Sequence, residues 1–175
     1  MNIHLRALKD KDADGMLEWM TDVSIIRFFQ FDATNITIDS CREFIAAANR
    51  NSECIHYAIA DEKDDYLGTI SLKNIDTSKK TAEYAISTRS CAHGTGAAMQ
   101  ATKELLNIAF EELHLESVYL NVLVENERAN AFYKKVGFRY ERCENHAINI
   151  RNEWKDLNWY VINREDFLRE QKNGK

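Results

Sequence analysis

Apolar and polar positions along this chain change period several times, and each change marks an element. Ile3, Leu5 and Ala7 alternate with polar neighbours over residues 2–8, the two-residue period of a half-buried strand. Ala13, Met16, Leu17 and Met20 then recur at helical spacing and predict a helix over 12–20. Ile38, Cys41, Phe44, Ile45 and Ala48 do the same over 37–49, with Thr37 or Asp39 available as cap. Residues 55–60 and 66–73 read as strands flanking the charged turn 61–65, a hairpin, and 79–88 supplies a third antiparallel strand. A helix over 96–113 crosses over to a strand over 117–124, followed by a short helix over 127–136 that Gly137 ends. Residues 138–144 and 154–163 form a closing strand pair around the polar turn 149–153. No repeat, low-complexity stretch or linker interrupts this order. It predicts one α/β domain over 1–175 with a mixed, mostly antiparallel sheet and flanking helices.

The densest chemical signal lies in residues 93–110, HGTGAAMQATKELLNIAF. A strand, TAEYAIST, feeds a turn containing Gly94 and Gly96, and a helix starts directly after. Helix starts leave backbone N–H groups without partners, glycine lets an anion approach them, and the helix dipole favours negative charge there. A phosphate or pyrophosphate suits such a turn. A P-loop is excluded, because Ala97-Ala98 stand where Lys-Ser or Lys-Thr must follow the last glycine. A dinucleotide fingerprint fits poorly, with Met99 at its third glycine and residues 89–93 separating strand from glycines.

A third motif fits better. His93-Gly94-Thr95-Gly96-Ala97-Ala98 resembles the acyl-CoA loop of the GNAT acetyltransferases, Gln/Arg-x-x-Gly-x-Gly/Ala, at Gly96 and Ala98, with His93 in place of the usual Gln or Arg. About thirty residues on, SVYLNVLVENERANAFYKKVGF resembles the next block of that family through Asn126, Ala129, Tyr133 and Gly137-Phe138. Trp19-Met20-Thr21-Asp22, His56-Tyr57-Ala58-Ile59 and Leu67-Gly68-Thr69-Ile70 are similar to the subgroup of ribosomal-protein N-terminal, diamine and nucleotide-amino-sugar acetyltransferases. The resemblance implies a GNAT-like domain with a central parallel strand pair that splays apart. It also implies acetyl-CoA as co-substrate and a primary amine as acceptor: a peptide N-terminus, polyamine, aminoglycoside or amino sugar. A non-catalytic acetyl-CoA sensor is the alternative, and it would need neither Tyr133 nor Glu83. Family members often carry proline where Ser90 stands, and this chain has no proline at all. The splay must then come from a bulge.

Composition narrows the partners. A formal charge of -5 argues against a nucleic-acid backbone and leans toward cationic substrates. No apolar run approaches the roughly 18 residues of a membrane helix, and the N-terminus does not read as a secretion signal. Cys41, Cys54, Cys91 and Cys143 are widely spaced, which suits reduced thiols in a cytoplasm, and the five histidines lack metal-ligand spacing. Self-association into a homodimer is left open.

On the resemblance, the amides of Gly94, Thr95, Gly96, Ala97 and Ala98 take the pyrophosphate, with His93 beside them. Backbone groups of Ser87, Thr88 and Arg89 meet the pantetheine arm, and one could polarise the thioester carbonyl. Tyr133 is the candidate general acid for the departing thiolate: a phenol near pKa 10 and a thiol of roughly 8.5 are not far apart. The same spacing would also let Tyr133 pack with Ala129 and Val136. Asn126 touches the CoA arm, caps the following helix, or both. Glu83, opposite in facing to Ala82, Tyr84 and Ile86, is the candidate base or a solvated sheet charge, with Asp32 and His56 as weaker alternatives. Cys91 beside the loop raises a covalent acyl-cysteine route, against which the family's direct transfer weighs. Trp19, Asp22, Phe31 and Asp32 are candidate acceptor-binding residues, with Phe28, Phe29 and Trp154 as further wall.

Overall fold

The computed structural model describes residues 1–30, 35–48 and 50–173. Seven strands form one sheet in the order β1-β2-β3-β4-β5-β7-β6: β1 Ile3–Ala7, β2 Ile55–Asp61, β3 Tyr66–Asp76, β4 Thr81–Thr88, β5 Ser117–Leu123, β6 Arg139–Ile150 and β7 Glu153–Asn163. All neighbours are antiparallel except β4 and β5. The helices are α1 Ala13–Thr21, α2 Val23–Ile26, α3 Ile38–Ala47, α4 Ala97–Asn107, α5 Glu127–Val136 and α6 Arg164–Asn173. The α/β class and the parallel pair expected from the sequence are what the chain forms.

Each face of the sheet carries its own apolar layer. α4 turns Ala97, Ala101, Thr102, Leu105 and Leu106 inward, a spacing of one helical stripe, against Ile70, Leu72, Tyr84 and Val118. On the other face, α1 and α3 bury Met16, Trp19, Cys41 and Ile45 against Ala58 and Tyr66. α3 begins at a capping box in which Thr37 Oγ1 accepts from the Ser40 amide, so Thr37, not Asp39, is the cap. Near the chain start, buried Asp12 is held by both terminal nitrogens of Arg6, at 2.7 and 2.9 Å.

Several boundaries differ from the periodic reading. The crossover helix ends as α-helix at Asn107 and continues as a π-helical turn, Ile108–Glu112. β3 runs on to Asp76, because a bulge between Lys73 and Asp76 absorbs an extra residue, with Asn74 at φ 48°. The closing pair is a longer hairpin than expected, since Arg151 and Asn152 (φ 51° and 65°) make a two-residue turn of the kind that matches strand twist. α2 and α6 gave no readable stripe: the first has four residues and the second is mostly charged.

Candidate active site

β4 and β5 pair over three rungs only, Thr81↔Ser117, Ala82↔Val118 and Glu83↔Tyr119. Beyond Glu83, β4 stays on β3 as far as Thr88↔Gly68, while β5 stays on β7 as far as Leu123↔Leu157. The two strands therefore separate. Three features draw β4 toward β3 without proline. The β3 bulge lies beside the last rung and adds local twist. At Gly68 the strands come so close that a Cβ would lie 2.4 Å from the Ser87 carbonyl oxygen. Finally, the Arg89 amide donates to the Leu67 carbonyl at 2.8 Å, and its guanidinium bonds the Tyr66 carbonyl and pairs with Glu18 at 2.6 Å. The bulge expected in place of proline thus sits in the neighbouring strand.

The opening widens into a cleft of about 1000 Å³. One lip is the glycine turn. Gly94 and Gly96 take φ 75° and 86°, a region closed to most side chains, and nothing lies within 4 Å of where their Cβ atoms would stand. Within the turn, the His93 amide donates to the Ser90 carbonyl, the Thr95 amide to Ala92, and the Ala97 amide to Thr95 Oγ1. Among the described residues, the amides of Gly94, Gly96, Ala98 and Met99 have no protein acceptor. Four free N–H groups at the N-terminus of an eleven-residue helix, with open space before them, form an anion cradle. Thr95, Ala97 and Arg89 shape this lip from behind and do not line the cleft, a narrower role than the sequence suggested.

The other lip is α5. Asn126 caps it, its Oδ1 accepting from the Ala129 amide at 3.2 Å, and it also lines the cleft. Arg128 reaches across to His93, Nη1 to Nδ1 at 3.4 Å. Burial and the Arg128 charge hold the His93 pKa below the ordinary imidazole value, against a contact with the Thr88 carbonyl and the attraction of Asp22. The ring is therefore neutral at pH 7, and the fixed cation beside it is Arg128, with Arg27, Lys73 and Lys135 also lining the cleft. The motif template passed over Arg128. The signal for it was a cation two residues after Asn126 in a chain whose loop lacks its own.

Tyr133 is 9% exposed and meets the rings of Tyr84, Phe132, Phe138 and Tyr160. It packs in the core and lines the cleft at once. Its hydroxyl has no hydrogen bond among the described residues, and no buried side-chain polar atom there lacks a partner, so this oxygen faces the opening. Desolvation pushes its pKa well above the ordinary phenol value. It stays protonated across the physiological range, and gives its proton easily only to a base desolvated in the same cleft. Glu83 lies at the base of the opening on the opposite face of the sheet. One of its oxygens is 3.4 Å from Lys73 Nζ and the other accepts from Asn74 Nδ2 at 2.8 Å.

A profile of the acetyltransferase (GNAT) domain matches residues 2–139. The chain belongs to the GNAT acetyltransferase family. Among its relatives, the spermidine N(1)-acetyltransferase of Escherichia coli K12 is 30% identical over 171 residues, 98% of this chain and 91% of that one. The spermidine N(1)-acetyltransferase of Vibrio cholerae is 25% identical over 94% of each. The fold matches the structure of the Vibrio cholerae spermidine N-acetyltransferase in complex with CoA and spermine, with a TM-score of 0.85 and 23% identity over 95% of this chain and 98% of that one. This GNAT protein is accordingly an N-acetyltransferase that draws on acetyl-CoA, and the cradle and opening have the chemistry such a co-substrate needs.

The remaining sequence candidates of this acetyltransferase do not all meet at the cleft. Trp19 is buried between α1 and β3, donating through Nε1 to the Tyr66 hydroxyl at 2.9 Å. Asp22 caps α2 by accepting from the Ser24 amide and hydroxyl, which lowers its pKa. Phe28 and Phe29 line the cleft, joined by Gln30, whose amide donates to Asn121 Oδ1 at 2.8 Å. Phe31 and Asp32 lie outside the described residues. Trp154 is 61% exposed near the tip of the last hairpin. Cys91 is exposed and does not line the cleft. Among the described residues no cluster of His, Cys, Asp or Glu could hold a metal, and no helix is long and apolar enough to cross a membrane.

Proposed function

We propose that this acetyltransferase moves the acetyl group of acetyl-CoA directly to a primary amine while both are bound. The observation that carries the reading is the strand opening itself, which is reached from both faces of the sheet. The Tyr133 hydroxyl approaches from the α4–α5 side and Glu83 from the other. The pyrophosphate rests on the free amides of Gly94, Gly96, Ala98 and Met99 with Arg128 alongside, and the pantetheine arm runs along the unpaired edge of β4 at Ser87 and Thr88. The amine nitrogen attacks the thioester carbon, and its surplus proton passes to Glu83, directly or through water. As the carbon–sulfur bond breaks, the thiolate takes the Tyr133 proton. No acyl-cysteine is needed. A pairing of two copies, supported by the exposed edge strand β6 with its half-exposed Tyr140, belongs to the same reading.

The relatives' names put polyamines first among acceptors to try. Thermal melts with acetyl-CoA, NAD and ATP, followed by CoA release from a panel of amines, test the reading. A ligand present at 100 times its Kd should add about 2.7 kcal/mol to the native state. Acetyl-CoA should raise the Tm and the nucleotides should not; the reverse pattern, or no CoA release with any amine, overturns it.

A further inference from the structure

On the Glu83 face of the sheet, a second hollow of about 330 Å³ lies between α1, α3 and strands β2–β4. Strand register places His56, Ser71 and Ala85 in one row across its floor, with Lys73 and Glu83 in the next. Met16, Trp19, Met20, Ile36 and Phe44 wall it from above. The hollow shares Lys73 and the stretch Ala85–Ser87 with the cleft, so it opens where the thioester would lie.

The chemistry of this hollow is one-sided. Among the described residues, its lining contains no Asp or Glu. Its one fixed charge is the cation of Lys73, already paired with Glu83 at 3.4 Å. His56 bonds Ser71 Oγ through Nδ1 at 2.7 Å, and its burial and the Lys73 charge lower its pKa, so the ring adds no anion and no cation at pH 7. A polyamine carries further ammonium groups a few carbons from the reacting one. A second ammonium here would lose its water, meet apolar walls and face Lys73. An uncharged apolar group would instead gain from burial.

We infer that this hollow is a subsite for the acceptor's side group, and that the enzyme favours primary amines bearing an apolar or aromatic group near the nitrogen over polyamines. The inference rests on the acetyl-transfer reading above and narrows its acceptor. Phe44 is the residue to test, being 40% exposed and in edge contact with the His56 ring at 4.9 Å, so that its replacement spares the core. The experiment is steady-state kcat/KM at saturating acetyl-CoA, with 2-phenylethylamine and with spermidine, for wild type, Phe44→Leu and Phe44→Glu. Wild type should favour 2-phenylethylamine at least tenfold. Phe44→Leu should keep that preference, and Phe44→Glu should lower it at least tenfold by losing the aromatic amine and gaining spermidine. A wild-type preference for spermidine sinks the inference even where a variant fails to fold, as does an unchanged ratio in a folded Phe44→Glu; acetyl transfer itself would survive both. Absence of CoA release with every amine would instead remove the underlying reading.

Discussion

Replacing Tyr133 by Phe separates its two roles, because the structure gives the ring and the hydroxyl different neighbours. The ring touches Tyr84, Phe132, Phe138 and Tyr160 at centroid distances of 5.5–6.2 Å, and a phenylalanine keeps all four. The hydroxyl bonds nothing among the described residues, so its loss leaves no partner stranded and stability should change by less than about 0.5 kcal/mol. Acetyl-CoA affinity should hold as well, since a phenylalanine keeps the ring packing and the cradle is built of backbone amides in residues 94–99. Only turnover should suffer. A positioned general acid contributes about 10² or more in rate, and at 1.36 kcal/mol per decade a loss of 10² is about 2.7 kcal/mol of transition-state stabilisation. Tyr84→Phe is the internal control: it deletes the 2.8 Å bond to Thr102, whose hydroxyl still donates to the Ala98 carbonyl, for about 1 kcal/mol of stability. It should leave kcat within a few-fold. Free-thiol release at saturating acetyl-CoA and amine, with calorimetric acetyl-CoA titrations, reads every quantity. A Tyr133→Phe enzyme with wild-type kcat would refute the reasoning and return Tyr133 to the core alone.

Gly96→Asp should remain folded and bind acetyl-CoA at least 100-fold more weakly by calorimetry, since a carboxylate would occupy the open space before the free amides. Gly96→Ala should cost about 1–2 kcal/mol in denaturant melts, from its φ of 86° alone. Arg128→Gln should raise the KM for acetyl-CoA with kcat little changed, and the difference should shrink in high salt. With the His93 pKa lowered, any gain of affinity from its protonation appears only below about pH 6.5, where His93→Arg should abolish it; a His93-dependent change centred above pH 7 would contradict the assignment. Glu83→Gln should shift the acidic limb of the kcat/KM profile to higher pH, because the amine must then arrive already neutral; an unmoved profile would show that another group takes the proton.

The sequence conveyed most about elements whose burial is periodic. The α4 stripe, the α3 cap at Thr37 and the strand alternation of β4 are one-dimensional patterns, and each became the element expected. Where packing or local charge decided, the pattern was silent: four-residue α2 and charged α6 have no stripe to read. At the site, Gly94, Gly96, Asn126 and Tyr133 were legible because motif spacing fixes them relative to one another. The expectation for Arg89 concerned its backbone; its amide is held by the Leu67 carbonyl, 22 residues earlier, a pairing that spacing does not show. Arg128 was missed because its value comes from facing His93, 35 residues away. The hollow beside Glu83 draws on five separate elements and has no linear signature.

Three rungs between β4 and β5 make the sheet two half-sheets, β1–β4 and β5–β7–β6, tied at one end. In the unliganded enzyme the inward backbone edges of residues 84–88 and 120–123 have no strand opposite them. Those amides should exchange with deuterium faster than their outward-facing neighbours and slow when acetyl-CoA arrives. The co-substrate then acts as a removable seam. A cell rich in acetyl-CoA would hold a stiffer, more protease-resistant enzyme than a starved one, so abundance as well as rate would follow the acetyl supply.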